Sequence, residues 1–87
     1  MKTYTIPKYG ITVQVMTNNG KRAGTIDSKL KDHLIGSDLE GDTGELYAVV
    51  DALESLILAH ACAGLDISSP AYVEGLRTCL EALGNHL

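Results

Sequence analysis

The chain has 87 residues, 45% hydrophobic and 21% charged, which suits one globular domain and excludes both a disordered tail and a two-core protein. A net charge of −4 at pH 7 and a pI near 5.1 weigh against a protein held on nucleic acid by bulk charge. The longest apolar run, Leu56 to Ala63 interrupted by His60, is far shorter than a membrane span, and Met1–Thr5 lacks the apolar stretch of a signal peptide.

Two cysteines in such a chain read as reduced thiols, so the expected setting is cytoplasmic. With no Trp and no Phe, the core must come from Leu, Ile, Val, Ala and Tyr. A short chain buries a modest fraction of its surface, so a partner that covers leftover apolar area would add stability, self-association being the simplest case. Charge is distributed unevenly. Residues 1–31 carry six basic groups (Lys2, Lys8, Lys21, Arg22, Lys29, Lys31) against Asp27 alone, whereas residues 32–87 carry ten acids against Arg77 alone. Such asymmetry bears on partner choice rather than on fold.

Residues 2–6 alternate with period two and predict a first strand, which Pro7–Gly10 breaks. Ile11, Val13 and Val15 then line one face of a second strand. Asn18-Asn19-Gly20 follows, and Asn-Gly suits the type I′ turn because both central residues need positive φ. Lys21–Ile26 is the returning strand, with Gly24 weakening it or marking a bulge. Residues 27–36 admit two readings: a short helix from Leu30 and Leu34 capped by Asp27 or Ser28, or a longer third strand. Gly36, Gly41 and Gly44 with Asp38, Glu40 and Asp42 read as an acidic loop spanning 32–43.

Asp42-Thr43-Gly44-Glu45 fits a capping pattern, predicting a helix over 44–63 closed by Gly64. Ser69-Pro70 starts a second helix that ends near Leu83, where Gly84-Asn85 follow. The short link 65–69 implies an antiparallel pair. Leu46, Val49, Val50, Leu53, Leu56 and Ile57 form a large apolar face on the first helix, while Ala48, Ala52, Ser55, Ala59 and Cys62 form a small-residue stripe. On the second, Val73, Leu76, Leu80 and Leu83 are large, and Ala71, Gly75, Cys79 and Ala82 small. The expectation is that the small stripes meet and bring the helices close, with Gly75 at the contact, and that the large faces cover the sheet. Contact across a dimer is the alternative use. The fold class is therefore α+β: a three-stranded antiparallel meander packed by a C-terminal helical hairpin in one domain.

No catalytic constellation emerges. Asp38, Glu40 and Asp42 fit the first positions of a calcium loop, but Thr43 stands where Gly is needed and Val49 where the bidentate Glu belongs. His60 and Cys62, two apart on a helix, point away from each other and cannot act on one ligand. His60 reads as a part-buried side chain with a backbone partner. In the hairpin register Cys62 and Cys79 lie ~12 Å apart, outside disulfide reach. The protein is thus expected not to be an enzyme and to use no cofactor or metal.

Leu53–Leu83, LESLILAHACAGLDISSPAYVEGLRTCLEAL, resembles short uncharacterised bacterial and phage-type proteins with a strand region followed by a helical pair. The resemblance implies that layout and no activity. Size, charge and resemblance together suggest a non-enzymatic protein-binding module. Its sharper version is a phage or mobile-element inhibitor of a host defence protein such as a CRISPR effector, acting through an acidic surface of Asp38, Glu40, Asp42, Glu45, Asp51 and Glu54. The alternatives are a small regulatory nucleic-acid binder using Lys8, Lys21, Arg22, Lys29 and Lys31, and a structural homodimer.

Overall fold

A computed structural model describes residues 2–35 and 43–86, with side chains for all of these except 33–35, 43–46 and 84–86. Three strands, β1 (Lys2–Ile6), β2 (Ile11–Asn18) and β3 (Lys21–Asp27), form an antiparallel sheet in the order β1-β2-β3. Tyr4 pairs with Val13 and Ile6 with Ile11 in the first ladder, and Val15 with Gly24 in the second. A 3₁₀ turn over Pro7–Tyr9 joins β1 to β2 and ends at Gly10 in the left-handed region. Asn19 and Gly20 join β2 to β3 with φ of 53° and 77°. Positive φ at both is the geometry that matches the twist of the flanking strands.

One face of the sheet is buried through alternate residues: Tyr4 and Ile6 from β1, and Ile11, Val13 and Val15 from β2. Helices cover that face. After β3, the chain enters α1 (Leu30–Ile35), so the helical reading of this region holds rather than a longer strand. Ser28 spends its hydroxyl on Glu54, and the Lys29 amide donates to the Tyr9 carbonyl at 3.1 Å, which anchors the start of α1 to the β1–β2 connection. Leu30 is fully buried.

The long helix α2 (Thr43–Cys62) lies across β3 and β2 and buries Val50, Ile57 and Ala61. Its close is a Schellman arrangement: the Gly64 amide donates to Ala61 O and the Leu65 amide to His60 O, with Gly64 at φ 95° as the sequence anticipates. Ser69 Oγ then accepts the Tyr72 amide at 3.3 Å, and Pro70 opens α3 (Pro70–His86) at a position where no amide is needed. The helix continues through Gly84 and Asn85, beyond the expected end near Leu83. Leu76 and Leu80 from α3 and Ile67 from the link complete the core.

Two expectations about packing are overturned. Gly24 marks no bulge, since the β2–β3 register runs through it without interruption. It marks a close approach, because a Cβ there would stand 2.5 Å from the Gln14 carbonyl oxygen and 3.1 Å from Leu58 Cδ1 on α2. The small stripes do not meet either. Ala48, Ala52, Ser55 and Ala59 are exposed, as are Ala71, Gly75, Cys79 and Ala82, and a Cβ on Gly75 would meet nothing within 4 Å. The large face of α2 is correspondingly split, with Val50 and Ile57 inside while Val49 and Leu56 face outward. The physical reason is that α2 carries large apolar residues on two sides, Val50 and Ile57 on one and Val49 and Leu56 on the other. A helix of that kind carries no contrast by which its inner side can be chosen from spacing alone.

Candidate functional site

Of the acids expected to form a binding surface, Asp38, Glu40 and Asp42 lie outside the described residues, and Glu45 sits in the first turn of α2 with its side chain outside them. Asp51 is exposed on α2 and pairs with Lys31 Nζ at 2.9 Å. Glu54 accepts the Ser28 hydroxyl at 2.8 Å. Lys31, expected on the opposing basic surface, is thus the partner of an acid, and its hydrogen bond to Asp51 raises its pKa above the ordinary value. The ammonium also stands 5.3 Å from the Tyr47 ring. Being exposed, this arrangement ties α1 to α2 with little net stabilisation.

The remaining basic residues separate into two groups. Lys8 lies over the Tyr9 ring at 5.6 Å, and the stem of Lys29 lies against Gly10, both at one end of the sheet. Lys21 and Arg22 lie at the other end, beyond the Asn19-Gly20 turn. The length of β2 puts the groups ~23 Å apart at the strand rise. Arg22 is also engaged: its Nη1 donates to the Cys62 carbonyl at 3.1 Å, at the negative end of α2. Lys2, Arg22 and Thr17 rim a cleft of about 380 Å³ floored by Tyr4, Val15 and Ala61. The α2 terminus beside that cleft offsets its positive charge.

The structure builds a different surface. Turning 100° per residue, Ala48, Val49, Ala52, Ser55, Leu56 and Ala59 share the side of α2 that faces away from the sheet. From Ala48 to Ala59 no charged residue falls among them, and Glu45, in the first turn of α2, is the charged position on the same arc. Ala71, Gly75, Thr78, Cys79 and Ala82 form the equivalent exposed side of α3, also uncharged. Between the helices runs an apolar groove of about 320 Å³ lined by Leu53, Leu56 and His60 on one wall and by Tyr72, Leu76 and Cys79 on the other. Leu56 is 51% exposed and Val49 40%.

Charges border this face. Asp51 flanks α2 on the α1 side, and Glu74 and Glu81 flank α3, where both hold Arg77. Those bonds lower the pKa of Glu74 and raise that of Arg77.

His60 does have a partner, but a side chain rather than backbone: its Nδ1 lies 2.7 Å from the Tyr72 hydroxyl, with the rings edge-on at 5.6 Å. Burial raises the Tyr72 pKa, and negative charge at Cys79 adds to this. Cys62 and Cys79 are free thiols, in keeping with the separation expected of them. Among the described residues no group of three or more His, Cys, Asp or Glu side chains could hold a metal ion, and no helix is long and apolar enough to cross a membrane. Sequence reasoning missed Tyr72 and the outward turn of Val49 and Leu56. The presence of large apolar residues on two sides of α2 was the available signal for the latter.

Comparison with protein-family models, curated proteins and solved structures gave no match.

Proposed function

We propose that this chain is a non-enzymatic protein-binding module that docks through the outer face of its helical layer. One observation carries the reading: Val49 and Leu56 stand exposed in an uncharged surface that runs over α2, the groove and α3. Apolar area of this kind, bordered by charge, marks association surfaces in soluble proteins. Folding of the single chain gives no account of it, since the opposite side of α2 already supplies Val50, Ile57 and Ala61 to the core. The groups with catalytic potential serve packing in this reading, with His60 Nδ1 engaged by Tyr72 and Cys62 packed against the core.

In its narrower form the module is a phage or mobile-element inhibitor of a host defence protein. The apolar face then supplies affinity, while the acids Asp38, Glu40, Asp42, Glu45, Asp51 and Glu54 steer it to a basic groove. The test compares immobilised wild type, Leu56→Glu, and a variant neutralised at Asp38, Glu40 and Asp42, each exposed to native-host lysate and to free chain. A stoichiometric protein retained by wild type and lost with Leu56→Glu is the expected result. Loss only in the neutralised variant places binding on the acids alone, and no retained protein at all, self included, overturns the module.

A further inference from the structure

We propose that the partner of this outer face is a second copy of the chain, joined through α2 about a two-fold axis; the inference rests on reading that face as a docking surface. The first argument is electrostatic. A chain of net charge −4 repels itself, and pairing through an uncharged surface brings no like charges into contact. The outer sides of α2 and α3 are uncharged between Ala48 and Ala82, and of the acids that flank them Asp51 is paired with Lys31 while Glu74 and Glu81 share Arg77.

The second argument is shape. With residues i and j of two antiparallel α2 helices level when their numbers total that of twice residue 54, Val49 lies opposite Ala59 and Leu56 opposite Ala52. Each large side chain faces a small one, and the two-fold repeats both pairs. The bulk that protrudes from one copy thereby fits the low positions of the other.

The third argument is area. The molecule is a slab of 46 × 26 × 17 Å with a radius of gyration of 13.7 Å, against about 12 Å for a compact chain of this length. Helices of 20 and 17 residues run about 30 and 25 Å. At roughly 10 Å width each they offer a flat footprint on the order of 550 Å², which side-chain relief and the groove walls raise toward the ~800 Å² per partner of a standard interface. Back-to-back pairing would turn the two-layer slab into a sheet–helix–helix–sheet sandwich and give α2 cover on both of its apolar sides.

Sedimentation velocity across a concentration series tests this. Wild type should sediment at twice the chain mass of 9.3 kDa. Leu56→Glu and Ala52→Glu, both at exposed positions, should sediment as monomers with unchanged far-ultraviolet circular dichroism, whereas Thr25→Glu on the outer sheet face should remain dimeric. In a background of Cys62→Ser and Cys79→Ser, the Val49→Cys/Ala59→Cys double variant should oxidise to a covalent dimer, and neither single variant should. A wild-type monomer at every concentration overturns the inference. So does a dimer that persists in both Leu56→Glu and Ala52→Glu. A monomeric wild type that still captures a foreign protein, lost with Leu56→Glu, overturns the two-fold pairing and leaves the docking face standing.

Discussion

His60 and Tyr72 join α2 to α3 through a hydrogen bond of 2.7 Å between Nδ1 and the phenolic oxygen, with the ring planes at 86°. The pair lies in the wall of an apolar groove, where Leu53, Leu56 and Leu76 offer no replacement partner to either polar atom. Orientation follows from the two caps around it. The Schellman close at Gly64 and the Ser69-Pro70 start fix where α2 ends and α3 begins, and so bring Tyr72 back to the level of His60.

Tyr72→Phe removes the hydroxyl and leaves Nδ1 of a half-buried imidazole without it. The expected loss is about 1 kcal/mol in urea unfolding. His60→Ala should cost a similar amount or more, and the double variant should cost less than the sum of the singles by about 0.5–1 kcal/mol. Strict additivity would show that the two side chains do not interact in solution.

Burial raises the Tyr72 pKa from its ordinary value of 10.0, so the folded state favours the neutral phenol more than the unfolded chain does. That contribution is complete below pH 10 and declines as pH rises from there through the folded-state value. Wild type should therefore lose stability above pH 10 more steeply than Tyr72→Phe, which lacks the ionisable group. Urea midpoints measured for both proteins through this window isolate the effect from the other tyrosines. Parallel curves would assign the alkaline loss to groups other than Tyr72.

Two glycines should respond oppositely to alanine. At Gly24 a Cβ meets the Gln14 carbonyl oxygen at 2.5 Å, and that oxygen belongs to a paired strand with little room to give. Gly24→Ala should destabilise by about 1–3 kcal/mol. At Gly75 a Cβ meets open space, so Gly75→Ala should stabilise α3 by up to ~1 kcal/mol from helix propensity. Both are best measured in the Leu56→Glu background, where docking on the outer face does not contribute. A loss at Gly75 equal to that at Gly24 would contradict the exposed placement of this face.

The elements that could be read from sequence are those set by local chemistry. Asn19-Gly20 specifies its turn through backbone conformation, and Ser69-Pro70 its helix start through one side-chain oxygen and one missing amide. Alternation in β2 identifies Ile11, Val13 and Val15 as inward because polar residues separate them. The inner side of α2 was not legible, since Val49, Val50, Leu56 and Ile57 are equally apolar and only the sheet decides among them. Residues far apart in sequence were the other blind spot. Arg22 with the Cys62 carbonyl, and Ser28 with Glu54, turn two nominal surface groups into internal ties that no spacing encodes. The candidate surface was therefore half visible: its small residues were noted, and their direction was not.

Arg22 reaches across 40 residues to donate to the last-turn carbonyl of α2, where the helix end carries partial negative charge. Arg22→Ala should lower stability by about 0.5–1 kcal/mol, with amide exchange accelerated at Ala63 to Leu65 rather than across the sheet. Arg22→Lys keeps the charge but not the planar fork and should recover part of the loss. Unchanged exchange at the α2 terminus in Arg22→Ala would show that this contact is absent in solution.

Asp66 holds the link between α2 and α3 by accepting the Ser68 hydroxyl at 2.5 Å and the Ser68 amide at 3.1 Å. Those two bonds favour the carboxylate and lower its pKa below the ordinary value of 3.8. A depressed carboxylate contributes its full stabilisation above the unfolded value and loses it as pH falls through the folded value. The acid limb of wild-type stability, followed by urea midpoints below pH 4, should therefore be steeper than that of Asp66→Asn. Ser68→Ala, which removes the hydroxyl and leaves the amide, should fall between them. An Asp66→Asn curve that parallels wild type throughout would place the acid sensitivity at other carboxylates, with Glu74, held low by Arg77, the next to test.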